Sequence, residues 1–137
     1  MDSSKLEISP DAQKRLAEAV IIWLTTIDAN GNPQPNPVWF YWDGKTLFIH
    51  SQPSSFKLKN IARNPRVSLN IESSDGLGDD ILIIAGLAQT EPNPPHLEPG
   101  YAEKYATHIR NLGMTMEEFQ QDYSVLIRIT PTRIRGW

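Results

Sequence analysis

Residues 33–67 read PQPNPVWFYWDGKTLFIHSQPSSFKLKNIARNPRV, and the fold turns on how this stretch is divided. It reads as a strand, a tight turn at Asp43-Gly44, a second strand and then a helix. The helix starts at Phe56, after Ser54 and Ser55, and stops at Asn64-Pro65 because the residue before proline resists helical geometry. Its first turn is Phe56-Lys57-Leu58-Lys59 and holds no carboxylate, although the partial positive charge of a helix N-terminus favours one. Two hydroxyls, free backbone N–H groups and a lysine make a seat for a phosphate or another anion. The competing reading is a serine-capped surface helix whose lysines extend into water.

Outward from this stretch the pattern is dominated by strands. Ser9 caps an expected short helix with Pro10 at its first position, continuing through Asp11–Ala19. Val20–Ile27, VIIWLTTI, is β-branched and continuous enough for a buried strand, and Asp28-Ala29-Asn30-Gly31 turns it. Val38–Trp42 and Thr46–Ser51 are the second and third strands, Arg66–Glu72 the fourth and Asp80–Thr90 the fifth. Four prolines in Pro92–Pro99 break the sheet before helical segments at Tyr101–Asn111 and Met116–Gln121. Tyr123–Thr130 and Thr132–Trp137 complete a last strand interrupted at Pro131. The expectation is a mainly β domain with accessory helices: a six-stranded antiparallel barrel whose edges are closed or covered. The insertion between residues 92 and 122 is too long for a hairpin loop and reads as a lid or a dimer contact.

Composition narrows the function classes. A chain of 137 residues, 39% hydrophobic and 21% charged, forms one core, so residues 1–137 read as a single domain. A net charge of −3 argues against a general electrostatic grip on nucleic acid or an anionic membrane. The chain has no cysteine, hence no disulfide, thiolate metal site or cysteine nucleophile. That usage and a polar start without a signal-peptide apolar run fit the cytoplasm, and no apolar run is long enough to span a membrane.

No metal or hydrolytic constellation is visible. His50, His96 and His108 are scattered and read as surface or half-buried histidines rather than ligands. Asp79-Asp80 reads as turn solvation, and no nucleophile elbow, G-x-G-x-x-G or P-loop pattern is present. An enzyme built this way relies on a bound cofactor. In Trp39-Phe40-Tyr41-Trp42, alternation puts Trp39 and Tyr41 on one side of the strand and Val38, Phe40 and Trp42 on the other. Core packing is the ordinary role of such residues; the alternative is that one side walls a flat aromatic cofactor, with Asn36 and Pro37 presenting backbone groups to a ring. The pattern leaves the choice of side open. An oligonucleotide-binding barrel stacking bases on Trp39, Phe40 and Tyr41 is a further reading. The acidic net charge and the local clustering of Lys57, Lys59, Arg63 and Arg66 weigh against it.

Pro37–Gly44, Leu47–Ser51, Ser55–Leu69 and Ile83–Ala88 together resemble the pyridoxamine 5'-phosphate oxidase-like superfamily, in particular its small flavin- and deazaflavin-dependent oxidoreductases. The resemblance implies an FMN-binding split barrel, a homodimer with cofactor sites in the dimer cleft, and FMN or the deazaflavin coenzyme F420 as cofactor. It places the cofactor phosphate at Ser51, Ser55 and Lys57, and the ring along Asn36, Pro37, Val38 and Trp39. Asp80, Arg135 and Trp137 would complete the site, often from the partner subunit. The chain departs from true pyridoxamine phosphate oxidases. Phe56-Lys57 stands where they have Arg-Lys, Asn36-Pro37 where they have an arginine, and Arg133-Ile134-Arg135 where they have Arg-x-His. Those changes argue against pyridoxal chemistry, and the W-x-W-D-G form is closer to F420-using members. Some relatives bind FMN, and a few bind haem or have no known activity. The resemblance implies hydride transfer to a small, electron-poor organic acceptor, with no assigned catalytic side chain; the alternative is a flavin or deazaflavin store or sensor.

Overall fold

The computed structural model describes residues 7–73, 76–78 and 80–136. Two sequence-based expectations, Trp137 at the site and Asp79 in an acidic pair, lie outside the described residues. Seven strands form one antiparallel sheet: β1 Ile21–Ile27, β2 Pro33–Trp39, β3 Tyr41–Trp42, β4 Leu47–Ser51, β5 Arg66–Ile71, β6 Leu82–Pro92 and β7 Val125–Gly136. Their order is β2-β1-β5-β6-β7-β4-β3. Four helices accompany them: α1 Pro10–Glu18, α2 Phe56–Arg63, α3 Pro99–Asn111 and α4 Met116–Asp122.

The expected six-stranded barrel is therefore corrected to an open, curled seven-stranded sheet. The strand expected at residues 38–42 is two strands, β2 and β3, on opposite edges of that sheet. They follow one another in the chain through Phe40 alone, so the curl brings the two edges together at this residue. β2 begins five residues earlier than expected, at Pro33, and contains Pro33, Pro35 and Pro37. Proline has no N–H to donate to a ladder, and β2 tolerates three because it is an edge strand paired only with β1.

The seam at Phe40 is sealed from α3. The Tyr105 hydroxyl accepts the Phe40 N–H at 2.9 Å, and its oxygen lies 2.6 Å from the Val20 carbonyl and 2.9 Å from that of Phe40. Lys104 donates its Nζ to the Phe40 carbonyl at 2.9 Å and lies 4.0 Å from the centre of the Phe40 ring. The backbone groups left without a sheet partner by the break are thus paired with side chains, as buried polar groups require.

β7 runs unbroken through Pro131, against expectation. Pro131 stands opposite Gly86 beside a register shift at Ala85/Gly86, and β4 reaches only as far as Ile129. The proline therefore sits at a bulge flanked by a single strand. Gly86 permits the close approach: a Cβ there would lie 2.8 Å from Ile129 Cγ2 and 3.0 Å from the Thr130 carbonyl oxygen.

The principal core joins Leu16 of α1 and Ile61 of α2 to the inward residues of the sheet, including Ile22, Leu24, Phe40, Trp42, Leu69 and Ile84. A second core holds Leu97, Tyr101, Tyr105, Ile109 and Phe119, with Trp39 and Tyr41 packed against it. The alternation expected for residues 38–42 is preserved across the seam: Val38, Phe40 and Trp42 go to the first core, Trp39 and Tyr41 to the second. The insertion is consequently a fixed wall built on β2 and β3. Its α3 starts so close to Tyr41 that a Cβ on Gly100 would meet the Tyr41 ring at 2.1 Å. Among the described residues, no helix is long and apolar enough to cross a membrane.

Candidate functional site

Helix α2 has the boundaries expected from the sequence, and its N-terminus is open. Ser55 occupies the N-cap position but makes no side-chain capping bond, so the serine-capped reading does not hold. Its hydroxyl instead accepts a 2.9 Å hydrogen bond from the Lys57 ammonium. Burial holds the Lys57 pKa below the usual lysine range, and among the described residues no carboxylate forms an ion pair with it. A half-buried cation at the positive end of a helix favours an anion beside it, although the Asp28 carboxylate lines the same hollow without pairing with it within ion-pair distance.

Lys57 and Gln52 form the common wall of two adjoining hollows. One, of about 380 Å³, is aromatic and receives Trp39 from β2, Tyr101 from α3, and Phe119 and Tyr123 from or beside α4. The other, of about 530 Å³, is polar and receives Thr26, Asp28, Asn36, Ser55 and Asn60. Asn60 is buried and donates its amide to the Thr26 hydroxyl at 3.0 Å, which fixes α2 to β1 beneath the polar hollow. Trp39 stacks on Tyr105 with ring centres 4.7 Å apart and planes 2° from parallel, so Tyr105 both seals the seam and braces the aromatic wall. Phe119 lies 5.8 Å from Trp39 and 4.3 Å from Tyr123.

His50 also lines the aromatic hollow. Expected at or near the surface, it is 4% exposed. Its Nε2 accepts the Glu98 backbone N–H at 3.0 Å, while its Nδ1 is buried and has no hydrogen-bond partner among the described residues. Burial, and secondarily the positive charge of Arg128, push its pKa down to about 4. The ring is therefore neutral near pH 7, and because Nε2 accepts, the single proton resides on Nδ1. Burial raises the phenol of Tyr101, and it pushes that of Tyr105 up to about 12 against the opposing Phe40 hydrogen bond. Both stay protonated.

Of the residues expected from the sequence, Pro37, Val38, Trp39, Ser51 and Lys57 line the aromatic hollow, and Asn36 and Ser55 join Lys57 at the polar one. Ser51 is buried and its hydroxyl donates to the Gln52 carbonyl at 3.0 Å, so its proton is already engaged. Asp80 lies elsewhere, ion-paired with Arg15 at 2.8 Å in a separate hollow beside α1. Arg135, on β7, stands opposite Ile83 of β6 and lines neither lobe of the cleft. At the aromatic hollow the sequence reading missed Ile21, His50, Gln52, Tyr101, Leu112, Phe119 and Tyr123. Tyr101, Tyr105 and Ile109 recur at intervals of four along α3, which marks a buried helix face and was the available signal.

The described residues thus form a curled antiparallel sheet with a cleft beside a lysine-bearing helix start. The chain matches the pyridoxamine 5'-phosphate oxidase family over residues 8–137 and belongs to it. No curated protein matches the chain. Among solved structures, an F420 reductase superposes with a TM-score of 0.74 at 24% identity, covering 93% of this chain and 98% of its own. A Listeria innocua protein described as a candidate pyridoxamine 5'-phosphate oxidase gives 0.69 at 26% identity, covering 92% and 94%. The Vibrio cholerae haem storage protein HutZ gives 0.67 at 17% identity, covering 96% and 95%.

Proposed function

We propose that this chain is an oxidoreductase of the family that holds FMN or coenzyme F420 and serves hydride transfer to a small, electron-poor organic acceptor. The observation that carries the reading is the two-lobed cleft hinged on Lys57. An aromatic lobe and a polar, cation-bearing lobe share one wall, which suits a flat ring joined to a phosphate. The volumes are those of ordinary ligand sites.

In this reading the Lys57 ammonium, the Ser55 hydroxyl and the open N–H groups of α2 hold the phosphate. Asn36, Pro37, Val38 and Trp39 border the ring. One side of the Trp39 indole is already taken by Tyr105, so Trp39 offers the cleft its remaining surface. The bound cofactor supplies the electrons, which is why the side chains need only bind, orient and exclude water. Asp80, Arg135 and Trp137 belong to the proposal only as residues contributed across a homodimer.

Dimerisation has its own support. On the outward face of the sheet Leu87 is 45% exposed, with Ala85 beside it on β6. A C2 pairing that covers this face would also protect the sheet. The cytoplasm remains the compartment we propose.

Fluorescence titration with FMN and with F420 separates the two cofactors and tests the seat. Lys57→Ala should weaken binding by roughly ten- to a hundredfold, since a hydrogen bond to a charged group contributes about 1.5–3 kcal/mol. Lys59→Ala is the control, because two positions along a helix its exposed side chain points elsewhere. Equal affinity in Lys57→Ala and wild type would remove the phosphate seat. Tight binding with no turnover of quinones, nitro compounds or activated alkenes would favour a store or sensor.

A further inference from the structure

The polar lobe is larger than the group assigned to it so far. Lys57 lines both lobes, so a phosphate held by Lys57 and Ser55 sits near their junction and leaves much of the 530 Å³ hollow beyond it. A hollow of that volume is a ligand site in its own right. Its walls are also short of positive charge. Among the described residues that line it, Lys57 is the one cation and Asp28 the one carboxylate. Asp28 is fixed in place: its carboxylate accepts the Asn30 and Asn32 backbone N–H groups at 2.9 Å each and the Gln34 amide at 3.1 Å. Those bonds, that from Asn32 foremost, hold its pKa below the ordinary value, so it stays ionised near pH 7. Immediately before Lys57, where a second cation would grip a doubly charged phosphate, the lobe is lined by Phe56, 77% exposed. Covering that phenyl ring with a ligand group is favourable.

We propose that the polar lobe is a subsite for a group carried beyond the phosphate, so that the ligand is a phosphodiester and Phe56 packs against its far group. This rests on the cofactor reading above and deepens it by choosing between the two cofactors. A terminal phosphate carries a charge of about −1.5 to −2 at pH 7, which one lysine facing a fixed carboxylate balances poorly. A diester carries a single charge, matches Lys57, and brings the group that fills the lobe. Coenzyme F420, whose phosphate is a diester, meets this requirement, whereas FMN leaves the lobe to water.

The test is fluorescence titration with F420, with the deazaflavin monophosphate left when F420 is cut at its phosphodiester, and with FMN. The first two share one ring, so their difference reports only what lies past the phosphate. F420 should bind wild type about tenfold more tightly than the monophosphate. Phe56→Ala should weaken F420 by about three- to tenfold and leave the monophosphate and FMN unchanged. Phe56→Arg, which supplies the second cation, should instead tighten both monoesters by about three- to tenfold. Both substitutions fall on an exposed side chain, so the variants fold. Equal binding of F420 and the monophosphate, with Phe56→Ala moving neither, overturns the subsite and leaves the Lys57 seat standing. Binding of FMN without F420 does the same. If Phe56→Ala weakens every ligand alike and converts a dimer to a monomer in sedimentation, Phe56 is an interface residue and the subsite is again overturned. If no ligand binds wild type, the cofactor reading and this subsite fall together.

Discussion

Acidification should expose the cost of burying His50 without its proton. The unfolded chain protonates this residue around its ordinary 6.5, whereas the folded protein resists until about 4. Between those values the unfolded state binds more protons, so stability falls as pH falls. The loss begins near pH 6.5, grows through the window and is complete below about 4, where both states are charged. At about 1.36 kcal/mol per pH unit the full effect is roughly 3 kcal/mol, a large part of the 5–15 kcal/mol typical of a domain. Urea unfolding followed by tryptophan fluorescence at pH 7, 6, 5 and 4.5 measures it, with His50→Gln as the partner. The variant keeps every carboxylate, so acid effects from those groups cancel in the difference. It should start somewhat less stable at pH 7, having lost the ring packed on Tyr101, and approach or overtake wild type near pH 4.5. Burial outweighs Arg128 as the cause, so added salt should change the window little. Parallel stability curves for the two proteins across this range would refute the reasoning, and loss of the effect in high salt would transfer it from burial to Arg128.

Tyr105→Phe should lower stability by about 1–3 kcal/mol, because it strips the buried Phe40 N–H of its partner; unchanged urea midpoints would mean the seam does not need the hydroxyl. Gly86→Ala should cost about 1–3 kcal/mol by forcing Ile129 and the Thr130 backbone away at the bulge, and a variant as stable as wild type would contradict that packing. Sedimentation of wild type at micromolar concentrations should give a dimer that Leu87→Glu dissociates without unfolding; a wild-type monomer would count against any site shared between subunits.

Much of the fold was legible because local chemistry and tertiary structure agree. Ser9 does cap α1, accepting the Ala12 N–H at 3.1 Å, and Asn64-Pro65 does end α2. Gly31 and Gly44 take the positive φ their turns demand, 82° and 101°. The misreadings share a cause. Pro33, Pro35 and Pro37 argue against a strand unless it lies on an edge, and edge position is decided by which strands pair across the sheet. Pro131 likewise looks like an interruption until Gly86 is placed opposite it. For the site, Lys57 and Trp39 stood out through local anomalies. Tyr101, Phe119 and Tyr123 did not, because 62 residues or more separate them from Trp39 in the chain they face.

The seam, which escaped the sequence reading, and the insertion are one device. Opening the sheet at Phe40 strands a backbone N–H and carbonyl in the interior, and α3 enters to satisfy them through Tyr105 and Lys104. Having entered, α3 places Tyr105 flat on Trp39 and Tyr101 against His50, while Glu98 at its start takes up the acceptor of that histidine. The insertion was expected as a lid or a dimer contact. Its buried aromatic core and its bonds to Val20, Phe40 and His50 make it a standing wall of the cleft. A wall braced in this way holds the aromatic lobe open before any ligand arrives, which lowers the ordering cost of binding. It also couples the site to the fold, so that changes at Tyr105 should be felt at Trp39 and those at His50 along α3.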